Sequence, residues 1–201
     1  RGDLYSGAIA GTCNGGDIEN CYNTGIVIGK NWTGGLIGAF YIYNNNSIKN
    51  CYNTGYVSGG SRVGGIAGTC TATMQNCYNT GTVFSSDYAG GIAGAYYYGS
   101  DTFMEYCYNT GKVSSAKYAG ALAVFVEKPT IRYCFNIGTI DNDNHARSGG
   151  LIGHFTEKPT MTNCYFLTGT VVKDFGIDSA VEVTAEQLAS GEIAFLMGTG
   201  W

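Results

Sequence analysis

Proline, histidine and charge are all in short supply. The 201 residues include 2 prolines, 2 histidines, 11 lysines and arginines, and 15 aspartates and glutamates, for a net charge of −4. So few cations exclude the clustered basic footprint of a nucleic-acid binder. Two prolines and no Gly-X-Y period exclude a collagen-like chain despite 32 glycines. Long apolar runs are missing too: the longest, Ala121 to Val126, is far too short to span a membrane as a helix. Neither His145 nor His154 sits in a His-Glu-x-x-His sequence, and there is no Cys-x-x-Cys, so no metal or cofactor is expected. What remains is 44% hydrophobic and 13% aromatic. Such a chain is long enough to bury a core and too apolar to stay disordered, so a soluble, ordered protein is expected.

What is abundant recurs. Cys-Tyr-Asn-Thr occurs at Cys21, Cys51, Cys77 and Cys107, with degenerate copies at Cys134 and Cys164, giving spacings of 30, 26, 30, 27 and 30. A Gly-Gly-Leu/Ile-x-Gly motif precedes the copies at Gly34, Gly64, Gly90 and Gly149, and weaker versions start at Gly7 and Gly120. A third motif, glycine two residues before an aliphatic, follows at Gly25, Gly55, Gly81, Gly111, Gly138 and Gly169. Four repeat columns hold 21 of the 32 glycines, so the glycine content reflects corners copied six times.

The period points to an architecture. No segment inside a repeat places apolar residues at helical spacing, and interior glycines cost a helix about 1 kcal/mol each. Pieces of four to seven residues between loops suit strands. Three short strands with corners, in 26 to 30 residues, make one coil of an all-β, right-handed parallel β-helix. Six coils at about 4.8 Å give a rod of about 29 Å. Four columns form the expected core: Ile9, Leu36, Ile66, Ile92, Leu122 and Leu151; Val27, Val57, Val83, Val113, Ile140 and Val171; Ile18, Ile48, Met74, Met104, Ile131 and Met161; and Cys13, Phe40, Cys70, Tyr96, Val126 and Phe155. Residues 1–172 read as the β-helix and 173–201 as a capping segment with one helix. Thr184 and Gln187 form its capping box, and Leu188, Ile193, Phe195 and Leu196 its apolar face, weakened by Gly191.

The repeated polar and aromatic residues carry further expectations. The cysteines leave two readings open: bridges Cys13–Cys21 and Cys70–Cys77, or buried thiols packed as small hydrophobes. Asn23, Asn53, Asn79, Asn109 and Asn136 suit a ladder of stacked amides at a coil corner. Tyr22, Tyr52, Tyr78, Tyr108, Phe135 and Tyr165 alternate with the cysteines and should face outward, as a structural ladder or a binding stripe. The better ligand-binding candidates are loop aromatics: Tyr41 and Tyr43 in one coil, Tyr97, Tyr98 and Phe103 two coils on, with Thr71-Ala72-Thr73 between as the floor of a possible cleft. Asp141 to Asn144 resembles a cation loop in ligand type but lacks the glycine and distal glutamate of an EF-hand. No residue is assigned a catalytic role.

The Gly35-Leu36-Ile37-Gly38 and Gly150-Leu151-Ile152-Gly153 tetrapeptides, with Gly-Ile-Ala-Gly variants, resemble the GLUG motif. The Asn-Cys-Tyr-Asn-x-Gly-x-Val context is similar to the repeats that carry it. The resemblance covers residues 7 to about 172 and departs at Val124, Phe166 and Leu167. It implies part of a larger extracellular or surface-attached bacterial protein, such as an adhesin or the non-catalytic region of an IgA-specific metallopeptidase. The expected function is a non-catalytic stalk or recognition surface for host or bacterial glycans or surface proteins. The alternative is a carbohydrate-active β-helix enzyme, which needs paired carboxylates on neighbouring coils. Asp87, Asp101, Glu105, Asp141 and Asp143 do not share a strand column. Ice binding would need an unbroken threonine array, and Thr24, Thr54, Thr80 and Thr110 give way to Ile137 and Leu167.

Overall fold

Each turn of the chain visits four sheets. In the second turn, Trp32–Gly34 lies in sheet one, Ile37–Phe40 in sheet two, Ser47–Lys49 and Tyr52–Asn53 in sheet three, and Val57–Gly59 in sheet four. Arg62–Gly64 then re-enters sheet one, pairing in parallel with Trp32–Gly34. The computed structural model describes residues 4–41, 46–97, 102–127, 130–142, 147–171 and 180–198. Repetition of this path builds a parallel β-solenoid of about five turns, with sheets of six, six, eleven and five strands. The expected three strands per coil are therefore five short segments in four sheets.

Two local features cause the extra breaks. Sheet three is kinked at the residue before each cysteine: Asn20, Asn50, Asn76, Tyr106, Tyr133 and Asn163 all have φ between 51° and 55°. Asparagine tolerates this left-handed region, whereas tyrosine enters it at a cost of about 1 kcal/mol. Stacking of Tyr106 on Tyr133, with ring centres 5.1 Å apart, offsets that cost. The Gly-Gly pair turns sheet one into sheet two. A Cβ on Gly65 would lie 2.1 Å from the Gly91 carbonyl oxygen and 2.7 Å from the Asn79 amide, so no side chain fits. The glycine pair and the asparagine column, 14 to 18 residues apart, thus meet inside the coil.

The four expected core columns are buried in the interior turns, with Leu36, Ile66, Val83, Met74, Cys70 and Tyr96 all at 0% exposure. The outermost turns depart from this. Ile9, assigned to the core by its column, is 50% exposed in the first turn of this sequence. Leu4 and Ile26 are exposed at the same end.

Buried polar columns run alongside. Asn23 Nδ2 donates to Asn53 Oδ1 at 2.7 Å, and the pattern continues through Asn79, Asn109 and Asn136 to Thr170. Each amide also donates to the carbonyl two residues on, closing its own turn. All eight cysteines are free, so the Cys13–Cys21 and Cys70–Cys77 pairs are not bridged. Six of them stack in one column, their thiols directed at backbone carbonyls such as Gln75 and Ile48 for Cys77. Burial pushes Cys70 up to about 12 and holds Cys77, Cys107 and Cys134 well above the ordinary thiol range.

The C-terminal segment continues the solenoid. Val181–Val183 pairs in parallel with Tyr165–Leu167, adding a rung to sheet three. The expected single helix is two: α1 (Ala185–Ala189) with the Thr184–Gln187 capping box formed, and α2 (Glu192–Met197) after Gly191, whose φ of 79° breaks the path. The anticipated apolar face is also revised. Ile193 and Met197 are buried with Leu188 against them, whereas Phe195 is 84% and Leu196 42% exposed. The helices pack on Tyr165 and Phe135, beside the outer face of sheet three. Phe166 stands where the ladder would have asparagine and fills the interior against Gly150. Among the described residues, no helix is long and apolar enough to cross a membrane.

Candidate functional site

Aromatic side chains gather on two outer surfaces, and their geometry differs. On sheet three, Tyr22, Tyr52, Tyr78, Tyr108 and Phe135 stack with ring centres 4.9–5.1 Å apart and planes within 6° of parallel. The column faces outward, as alternation requires. Each interior ring gives both faces to its neighbours, leaving only edges and hydroxyls for solvent. This is the structural ladder, not a stacking platform.

The second surface is the corner between sheets one and two. Gly68 lets the sheets close up: a Cβ there would lie 2.6 Å from the Thr33 amide nitrogen. Outward residues of the two sheets consequently face one another. Tyr88 of sheet one meets Phe125 of sheet two edge-on at 6.3 Å, and Tyr118 meets His154 at 5.0 Å. Ala39, Thr69 and Ala95, in the Phe125 column, are covered almost completely. Tyr5 and Trp32 tilt against each other at 4.8 Å. Ring planes here are inclined by 43° to 72° across most contacts, while Tyr88 and Tyr118 stack at 5.4 Å and 19°.

Arg62 reaches into this corner. Its guanidinium carbon lies 5.3, 5.6 and 5.9 Å from the ring centres of Trp32, Tyr97 and Phe125. Such contacts favour a cation by about 0.5–2 kcal/mol each. Its Nε is buried without a hydrogen-bond partner, and so is Thr69 Oγ1 of the same turn. Burial, then the Tyr5 hydroxyl, pushes Tyr41 up to about 12, and Arg62 and Tyr97 lie close enough to act on it. Burial, and then Arg147, lowers His154 below the usual histidine range.

The five ligand candidates from the sequence separate accordingly. Tyr41 and Tyr97 come together around Arg62. Tyr43 and Tyr98 lie outside the described residues. Phe103 belongs elsewhere: it sits on sheet three under the Arg132 guanidinium, 4.6 Å from its carbon. Sequence reasoning missed Trp32, Arg62, Tyr88 and Tyr118. Their signal was present, because the position two before each Gly-Gly or Gly-Ala pair reads Tyr5, Trp32, Arg62, Tyr88, Tyr118 and Arg147.

Three of the carboxylates weighed for catalysis hold cations: Asp87 with Lys117, Glu105 with Arg132, and Asp141 with Lys112. Asp101 and Asp143 lie outside the described residues. Among the described residues, no group of three or more His, Cys, Asp or Glu side chains converges as a metal site. A cavity of about 330 Å³ opens beside Tyr5, Ser6, Asn23 and Ile26 at the first turn.

The sequence matches no family model and no curated protein. The fold has a solved counterpart. A Bacteroides ovatus protein whose crystal structure is described as "a putative immunoglobulin A1 protease" aligns with a TM-score of 0.64 at 20% identity, over 96% of this chain and 69% of that one. That likeness is one of fold.

Proposed function

We propose that this chain is a non-catalytic recognition module of a bacterial surface or secreted protein, of the GLUG-repeat type, acting outside the cell. Its glycan- or protein-binding surface is the corner between sheets one and two. The observation that carries this reading is the set of inclined, half-buried rings of Trp32, Tyr88, Tyr97 and Phe125 around Arg62. Rigid aromatics with accessible faces supply contact area at low entropic cost, and the adjoining arginine supplies direction. The shared fold with the Bacteroides ovatus protein supports a bacterial, repeat-built context. Asp87, Glu105 and Asp141 are each engaged by a lysine or arginine of a neighbouring turn, which fits a binding role better than acid–base chemistry on paired free carboxyls. Probing glycan and host-protein arrays with the chain tests the reading. Capture that falls at least tenfold in Trp32→Ala and Tyr97→Ala but persists in Tyr78→Ala is expected. Capture indifferent to the corner variants would refute it.

A further inference from the structure

Among the described residues, two arginines lie over aromatic rings, and they differ in one respect. Arg132 covers Phe103 at 4.6 Å, and its Nε donates to the carboxylate of Glu105, which also accepts from Gln75 Nε2 at 2.6 Å. The chain itself thus completes that site: a ring for the guanidinium face and a carboxylate for its edge. Arg62 has the rings, three of them, and no carboxylate. It forms no hydrogen bond or ion pair with any described residue, and its buried Nε is unpartnered. A buried donor without an acceptor costs about as much as a lost hydrogen bond, and native folds rarely leave one without a reason. Thr69 Oγ1, in the same turn, lacks a partner as well.

Resting on the recognition role proposed above, we infer that the corner binds a carboxylated sugar, with Arg62 taking its carboxylate. A guanidinium matches a carboxylate through two parallel N–H···O bonds, while the tilted rings of Trp32 and Tyr97 offer faces for the apolar side of a pyranose. Glu105 meets Arg132 at Nε, whereas at Arg62 Nε is closed off and the ligand's carboxylate meets the terminal guanidinium nitrogens. Arg147 continues the same column three rungs on, roughly 14 Å away, as a second cation along the corner. Glu127 is the neighbour of Tyr97 one rung on and lies close enough to act on it.

The test is calorimetric titration with galacturonic acid oligomers and with the same oligomers carboxyl-reduced to neutral sugars. Sialyllactose and lactose form a second pair, which separates a terminal acid from an internal one. Binding about tenfold tighter for the acidic member of at least one pair is expected. That preference should vanish in Arg62→Met, shrink in Arg62→Lys, and weaken between 0.05 and 0.5 M salt, with the neutral analogue unaffected. Thermal melts show that each variant folds. Equal binding of acidic and neutral sugars, or an acid preference that survives Arg62→Met, overturns this inference while leaving the recognition role intact. Failure of every sugar also overturns it, and the recognition role is then judged by whether protein-array capture depends on Trp32.

Discussion

The tyrosine column of sheet three and the aromatic corner of sheets one and two use the same residue types to opposite ends. In the column, identical residues occupy identical positions at the rung spacing, so rings meet face to face at 4.9–5.1 Å. Repetition consumes the faces and leaves a rib that braces the turns. At the corner the residue changes at nearly every turn, from tryptophan to arginine to tyrosine. Rings from two sheets then meet at steep angles around an arginine, and only Tyr88 and Tyr118 stack. Regular columns stabilise a solenoid, whereas a column that breaks its own pattern is where recognition can be built.

The largest effect should come from beneath the regular side. Asn79→Ala would leave the Gly81 carbonyl and Asn109 Oδ1 without their donor, so chemical denaturation should show a loss of about 4 kcal/mol. Tyr78→Ala removes two stacked contacts and should cost about 2 kcal/mol without altering ligand capture. Tyr97→Ala should reverse that balance, costing about 1 kcal/mol while abolishing capture. If Tyr78→Ala weakened capture and Tyr97→Ala did not, the contrast between the two surfaces would collapse. Thiol labelling checks the regular side from within. In the native protein only the half-buried Cys13 and Cys21 should react at neutral pH, and all eight cysteines after denaturation.

The smallest effect is one of pH and belongs to the corner. His154 has a lowered affinity for its proton in the fold, so the unfolded chain binds that proton more readily below its ordinary value of 6.5. The contribution to stability is complete above that value and declines as pH falls through it. Unfolding midpoints should drop slightly from pH 7.5 to pH 5, and His154→Gln should remove that component of the decline.

Much of the regular side was legible because each turn repeats the same local problem. The Cys-Tyr-Asn alternation assigns thiols inward, rings outward and amides to a corner, and the hydrogen-bonded ladder and stacked rings follow. Two features escaped. The left-handed residue before each of the six cysteines of sheet three was hidden because a positive φ leaves only a preference for asparagine, which Tyr106 and Tyr133 override. The splitting of the capping helix at Gly191 turned on a backbone angle that composition only hints at.

Of the loop aromatics singled out in the sequence, Tyr41 and Tyr97 both lie near Arg62, whereas Phe103 was drawn off by Arg132 and Glu105. The repeat, the coil and the identity of its buried columns follow from the residues alone, because hydrophobic period and glycine placement act locally and recur. Which aromatic residues face one another is a matter of packing between turns. That depends on sheets one and two closing at the Gly68 column, a contact between successive turns that brings Arg62 to Phe125 across 63 residues of chain.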